Sequence, residues 1–228
     1  MTRQVKDGRS ARWDAHREER RAELVLAAVA AIDSVGPSAG ISEIAREAGV
    51  SKPVLYRYFD GLDDLYAAVG RWGGDEVLRR LLPAILTEAP IRERVARGVD
   101  SYLTTIAEHP QVFLLLVRHR PAGNDPLADG KAAIAATFAR VLGDTMRGLG
   151  VDTGGAEPWA QSLVGMGLAT GEWWLERQTM SRAAVGAYVT SFIWHAFSGT
   201  AGDLGVPLTS LHAPDTVPGS ITPLEERR

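Results

Sequence analysis

The chain contains no cysteine. That excludes disulfide staples, thiolate metal sites and thiol nucleophiles together. No run of about 18 apolar residues occurs, so no membrane span is expected. The first residues are polar and lack the apolar stretch of a secretory signal, which predicts a cytoplasmic protein. Strand-like alternation does not persist anywhere, and no repeat of roughly 20–50 residues recurs. Lysine is scarce, three residues against 22 arginines. The five histidines, His16, His109, His119, His195 and His212, show no metal-ligand spacing. There is no G-x-S-x-G, no phosphate loop and no G-x-G-x-x-G after a strand. Neither an enzyme, a metal nor a cofactor has a residue to support it.

What remains is a helical globular chain. It has 228 residues and 45% hydrophobic content, enough for a small domain beside a larger one. Its net charge of −3 argues at first against nucleic acid, but the distribution is uneven. Residues 1–21 carry seven cations against four acids, a net +3, while residues 61–228 carry 15 against 19, a net −4. The positive charge lies next to the most informative stretch of the chain.

That stretch is residues 41–59, ISEIAREAGVSKPVLYRYF. Ile41, Ile44 and Ala45 share one helical face, with Glu43, Arg46 and Glu47 on the other. Gly49 suits a left-handed reversal. Ser51 can cap a second helix, and Pro53 falls in its first turn, where a missing N–H breaks no helical bond. Val50 and Leu55 point back toward Ile44, leaving Lys52, Val54, Tyr56, Arg57 and Tyr58 outward. A short helix exposing two tyrosines and two cations suits a DNA major groove. The alternative is an ordinary solvated helix face.

This run resembles the helix-turn-helix of the TetR family of bacterial transcription regulators, most specifically in its Leu55-Tyr56-x-Tyr58-Phe59 ending. The resemblance covers about the first 65 residues strongly. Residues 163–175 (LVGMGLATGEWWL) and Val206-Pro207-Leu208 are similar to members that control fatty-acid synthesis in response to long-chain acyl-CoA. In the family a lysine often stands three positions after the closing Phe and contacts phosphate. Here Leu62 occupies that place, between Asp60 and the pair Asp63-Asp64, which suit the dipole at a helix N-terminus.

Around this motif the chain divides into an N-terminal unit (1–61), a ligand-binding and dimerisation domain (62–202) and a flexible tail (203–228). Residues 1–12 read as a basic arm or a solvated tail. A first helix is expected from near Asp14 to Val35, ended by Gly36-Pro37, with Leu24, Val25, Ala28, Val29 and Ile32 inward. A long helix begins at Leu62 and is interrupted at Gly73-Gly74 and Pro83. Those glycines are either a soft point or a place where another helix approaches closely. Further helices are expected from Pro90 to His109, over 111–117, from Pro126 to near Leu149, from Pro158 to Gln178 and from Ser181 to Ser198. The loop 120–125 and the glycines around 148–155 connect them.

Candidate sites follow. Ser51, Lys52, Pro53, Val54, Tyr56, Arg57 and Tyr58 are the DNA-binding set, since lysine and phenol hydroxyls donate to phosphate oxygens. Phe113, Leu116, Phe138, Leu142, Met146, Leu163, Met166 and Trp173 are a candidate pocket lining or ordinary core. The glycine-rich stretch 164–171 favours a cavity. His119, beside Arg118 and Arg120, either meets an anionic headgroup or is the polar end of a buried helix. The last two helices are apolar nearly all round, and a second copy of the chain is the economical cover. Trp174, Tyr188, Phe192 and His195 are the dimer-interface candidates. The expectation is therefore all-α: a three-helix helix-turn-helix domain and a helical bundle, about nine helices, forming a homodimer. Its partners would be palindromic operator DNA, itself and a hydrophobic effector, without membrane or cofactor. On resemblance it is a repressor responding to a long-chain acyl-CoA or fatty acid. A regulator sensing amphiphilic drugs, or an all-α interaction protein or enzyme, are the alternatives.

Overall fold

The computed structural model describes residues 8–119 and 125–206, and every regular element among them is a helix. Nine occur: α1 (Gly8–Val35), α2 (Ile41–Glu47), α3 (Lys52–Tyr56), α4 (Leu62–Ile85), α5 (Ile91–Glu108), α6 (Pro110–Arg118), α7 (Ala128–Gly148), α8 (Ala156–Arg177) and α9 (Arg182–Asp203). Residues 207–228 of the expected tail (203–228), 120–124 of the expected loop (120–125) and 1–7 of the expected arm (1–12) lie outside the described residues. α1 starts earlier than the expected Asp14, and α9 runs past the expected Ser198. Both extensions lack an apolar period to announce them, so only the helical backbone itself marks them.

The helix-turn-helix unit expected to read DNA, called the reading unit below, is built on Leu24, Ala28 and Ile32 of α1, Ile44 of α2 and Leu55 of α3, all at most 1% exposed. Each fully buried aliphatic side chain contributes roughly 1.5–3 kcal/mol. A five-residue helix such as α3 has no stability of its own. It is held by Leu55 and Phe59, which enter the same core. Gly36 (φ +89°) and Gly49 (φ +62°) make the two reversals left-handed, as their sequence positions require. Glu43 reaches back to accept from the Gly40 amide at 3.0 Å, fixing the start of α2.

α4 is one continuous helix through Gly73, Gly74 and Pro83. The expected interruption is absent, and the glycines have a different use. A Cβ on Gly70 would collide with the Pro126 carbonyl, and one on Gly74 would lie 2.7 Å from Gly130 Cα. Gly70, Gly74 and Gly130 thus let α4 and α7 cross with their backbones nearly touching. Gly73 takes no part, since a Cβ there meets nothing within 4 Å. Of the α8 glycines, Gly165 meets open space, whereas Gly167 and Gly171 are covered by side chains of α5 and α6. Tyr102 covers Gly167, and Tyr102, Ile106 and Phe113 press on Gly171. The Tyr102 hydroxyl donates to the Gly167 carbonyl at 2.7 Å, and burial raises its pKa, so it stays a neutral donor.

α6 joins the two halves. Its Val112, Leu115 and Leu116 belong to the reading unit's core, while Phe113 and Leu114 pack into the core formed by α5, α8 and α9.

Candidate functional site

On the reading unit, Ser51, Lys52, Pro53, Tyr56 and Arg57 are exposed, with Tyr56 57% accessible. Val54 is half-buried. Ser51 stands at the N-cap of α3 with extended backbone, yet its hydroxyl makes no capping bond. The expected cap is positional only, which leaves that hydroxyl on the outer surface. Tyr58 differs from expectation too, because it follows the last turn of α3 and its ring packs half-buried against the core.

The end of the reading helix is tied from behind. The Arg21 guanidinium lies 4.3 Å from the Phe59 ring centroid, donates to the Tyr58 carbonyl, and pairs with Asp64 Oδ1 at 3.1 Å. Asp64 Oδ2 accepts from the Asp60 amide at 3.1 Å, and Arg17 donates to the Arg57 carbonyl at 3.5 Å. Arg21 and Asp64 therefore fix the angle between α1, α3 and α4. Leu62 packs against this core, so the position where a phosphate-binding lysine was expected from the resemblance is apolar support instead.

The second feature is a cavity of about 330 Å³ walled by α4 to α9. Phe113, Leu116, Phe138, Leu142, Met146, Leu163 and Met166 all line it. Trp173 does not: it is 39% exposed on the outer face of α8. Residues not among the sequence candidates complete the wall, including Trp72, Val95, Tyr102, Ile134 and Phe197. Their helical spacing gave no sign of which faced a void.

The few polar groups in the wall are mostly engaged. Thr105 donates to Ser101, Thr145 to Val141 and Thr200 to Ala196, each through its own helix. Arg94 Nε donates to the Ile85 carbonyl at 2.6 Å. Glu76 is held by Arg79 and Arg80, whose hydrogen bonds pull its carboxyl down to about 2 against the opposing effect of burial. His109 Nδ1 donates to Asp33 Oδ2 of α1 at 2.6 Å. His119 stands at the C-cap of α6, the polar end of a buried helix as one of its two expected places, where it pairs with Asp63 at 2.9 Å and lies edge-on to Tyr66.

Of the four residues expected at an interface, Tyr188 and Phe192 are 69% and 67% exposed and His195 is exposed beside them on α9. Trp174 is not with them. It is 8% exposed in the core against α5, and its indole donates to the Met180 carbonyl at 3.0 Å. The tandem tryptophans point in divergent directions because successive helical residues are about 100° apart.

Residues 24–69 match the family described as bacterial regulatory proteins, tetR family, and residues 80–208 match the tetracyclin repressor-like C-terminal domain. The chain belongs to the TetR family of transcriptional regulators. An uncharacterised HTH-type transcriptional regulator of Mycobacterium tuberculosis is 36% identical over 196 residues, covering 85% of this chain and 83% of that protein. The HTH-type transcriptional activator FasR of Mycolicibacterium smegmatis is 30% identical over 197 residues, covering 85% and 87%. The regulator FadR from Bacillus subtilis, solved in complex with stearoyl-CoA, superposes with a TM-score of 0.61 at 18% identity, over 75% of this chain and 95% of that one. As a TetR regulator the chain carries a helix-turn-helix DNA-binding domain, and its relatives are named transcriptional regulators. No helix among the described residues is long and apolar enough to cross a membrane.

Proposed function

We propose that this TetR-family protein is a cytoplasmic, dimeric regulator of a palindromic operator, and that its effector is a single-chain amphiphile such as a long-chain acyl-CoA or fatty acid. The observation that carries the reading is α6, which is at once a wall of the apolar cavity and part of the core under the reading helix. A molecule filling the cavity presses on an element that the DNA-reading unit cannot ignore. Residues 1–61 then form the DNA-binding domain and residues 62–202 the effector and dimerisation domain.

At about 330 Å³ the cavity sits at the small end of ligand pockets, in keeping with one acyl chain rather than a bulky polycyclic drug. The stearoyl-CoA complex of the structurally similar FadR supports the same class. Lys52, Tyr56, Arg57, Ser51 and the edge of Pro53 and Val54 meet the DNA, with Tyr58 beneath them. The repressor expected from the sequence stands beside a relative named an activator, FasR. Operator position relative to the promoter decides that sign, not the fold.

The test is retardation of a DNA fragment from the region upstream of the gene, with and without stearoyl-CoA. Binding that stearoyl-CoA changes by about 5-fold or more supports the reading. Specific binding that responds to amphiphilic drugs but not to acyl-CoA or fatty acid replaces the effector class. No specific DNA binding overturns the whole.

A further inference from the structure

Both ends of α6 carry a histidine bonded to a carboxylate: His109 to Asp33 of α1 in the reading unit at 2.6 Å, His119 to Asp63 at the start of α4 at 2.9 Å. Only His109 also lines the cavity. Trp72, another wall residue, meets the His109 ring edge-on with centroids 5.2 Å apart. The second oxygen of Asp33, Oδ1, is buried and has no hydrogen-bond partner among the described residues. The carboxylate is therefore kept in place by His109 through Oδ2. Without that bond the half-buried carboxylate would lose its Oδ2 partner while Oδ1 stays buried and unpaired, which costs stability.

We infer that His109 is the residue through which the contents of the cavity act on α1. A molecule pressing on Trp72 and the imidazole turns the ring away from Asp33 and unlatches the C-terminal end of α1. The other half of α1 holds the reading helix through Arg17 on the Arg57 carbonyl and Arg21 on the Tyr58 carbonyl. Releasing one end of α1 therefore re-aims α3 from behind. This route does not run along α4. His109 acts as a positioning residue, and a ligand shifts the latch by as much as it favours the turned ring over the bonded one. The inference rests on the cavity being the effector site, but its test needs no effector.

Gly73 lines the cavity beside Trp72, and a side chain there has open space. Gly73→Leu thus fills the cavity from its own wall, and Gly73→Ala controls for stiffening the helix without filling it. Five full-length proteins are compared: wild type, Gly73→Leu, Gly73→Ala, Asp33→Asn and the double variant Gly73→Leu with Asp33→Asn. Two readouts are taken, affinity for the upstream DNA fragment and hydrogen exchange of the amides of residues 30–35. The expected result is that Gly73→Leu changes operator affinity by about 5-fold or more and speeds exchange at the end of α1. In the Asp33→Asn background both effects of Gly73→Leu should fall below about 2-fold, and Gly73→Ala should do neither. Equal effects of Gly73→Leu in both backgrounds, or no change in α1 exchange, overturn the latch. If no upstream DNA binds the wild type, the proposed function fails while the exchange comparison still decides the latch. Gly73→Met replaces the leucine variant if melting shows that leucine prevents folding.

Discussion

At the residue scale, charge and burial separate groups proposed to meet DNA from groups that hold the fold. Lys52 is exposed at the first position of α3. A phosphate contact there displaces about one counterion, so Lys52→Ala should weaken specific and random DNA alike. The slope of log K against log salt should shrink by about 1. An unchanged slope in a salt titration removes Lys52 from the backbone contacts. Glu76 is the opposite kind of residue, a carboxylate serving structure. Its pKa is lowered from 4.5 to about 2 by the hydrogen bonds from Arg79 and Arg80. A depressed carboxyl contributes stability that is complete above its unfolded pKa and is lost as pH falls through the folded value. The stability gap between wild type and Glu76→Gln should therefore be constant above about pH 5 and close between 4.5 and 2. Chemical denaturation at several pH values measures it, and a gap that widens on acidification contradicts the assignment.

At the scale of elements, three glycines in one helix differ in what they face. Gly70 and Gly74 face the backbone of Pro126 and Gly130, whereas Gly73 faces space. Gly73→Ala should raise the melting temperature, because alanine in a helix interior is worth up to about 1 kcal/mol over glycine. Gly74→Ala gains the same propensity but drives a methyl into Gly130, and such overpacking costs about 1–3 kcal/mol. It should lower the melting temperature, and Gly70→Ala should lower it further. Thermal melts of the three variants decide, and a stabilising Gly74→Ala would show that α7 yields. The sequence revealed that glycines stood in α4 but not what they face, because Gly130 lies far along the chain. The helix-turn-helix was legible for the converse reason: its contacts, Ile44 with Leu55 and Phe59, lie within a few turns of one another. The cavity was legible on α6 and α7, where large apolar residues repeat. It was missed on α4 and α5, whose inward stripes look the same whether they meet a neighbour or a void. Trp173 and Trp174 were misplaced because the apolar character of α8 continues around the helix, so no stripe fixes its rotation.

At the scale of the whole molecule, the unresolved balance is on α9. Tyr188 and Phe192 are each more than two-thirds exposed, one turn apart on one face, with His195 next along it. The opposite face is spent within the subunit, since Val185 and Ile193 are buried against α5 and α8. Two adjacent aromatics left in water forfeit a large apolar burial, and a second copy presenting the same face recovers it on both sides. A two-fold pairing of this kind also gives DNA reading its geometry. One five-residue helix offers few contacts, whereas two of them on half-sites about 34 Å apart combine their binding energies. The pairing and the operator affinity should therefore fail together. Phe192→Asp places a charge at the centre of the paired surface, where both copies would bury it unpaired. The variant should sediment as a monomer at micromolar concentration and lose specific operator binding. Its circular dichroism should stay that of a folded helical chain, because Phe192 contributes nothing to the core of its own subunit. A wild type that sediments as a monomer refutes the two-fold arrangement. A Phe192→Asp variant that remains a dimer and binds operator moves the interface off this face of α9.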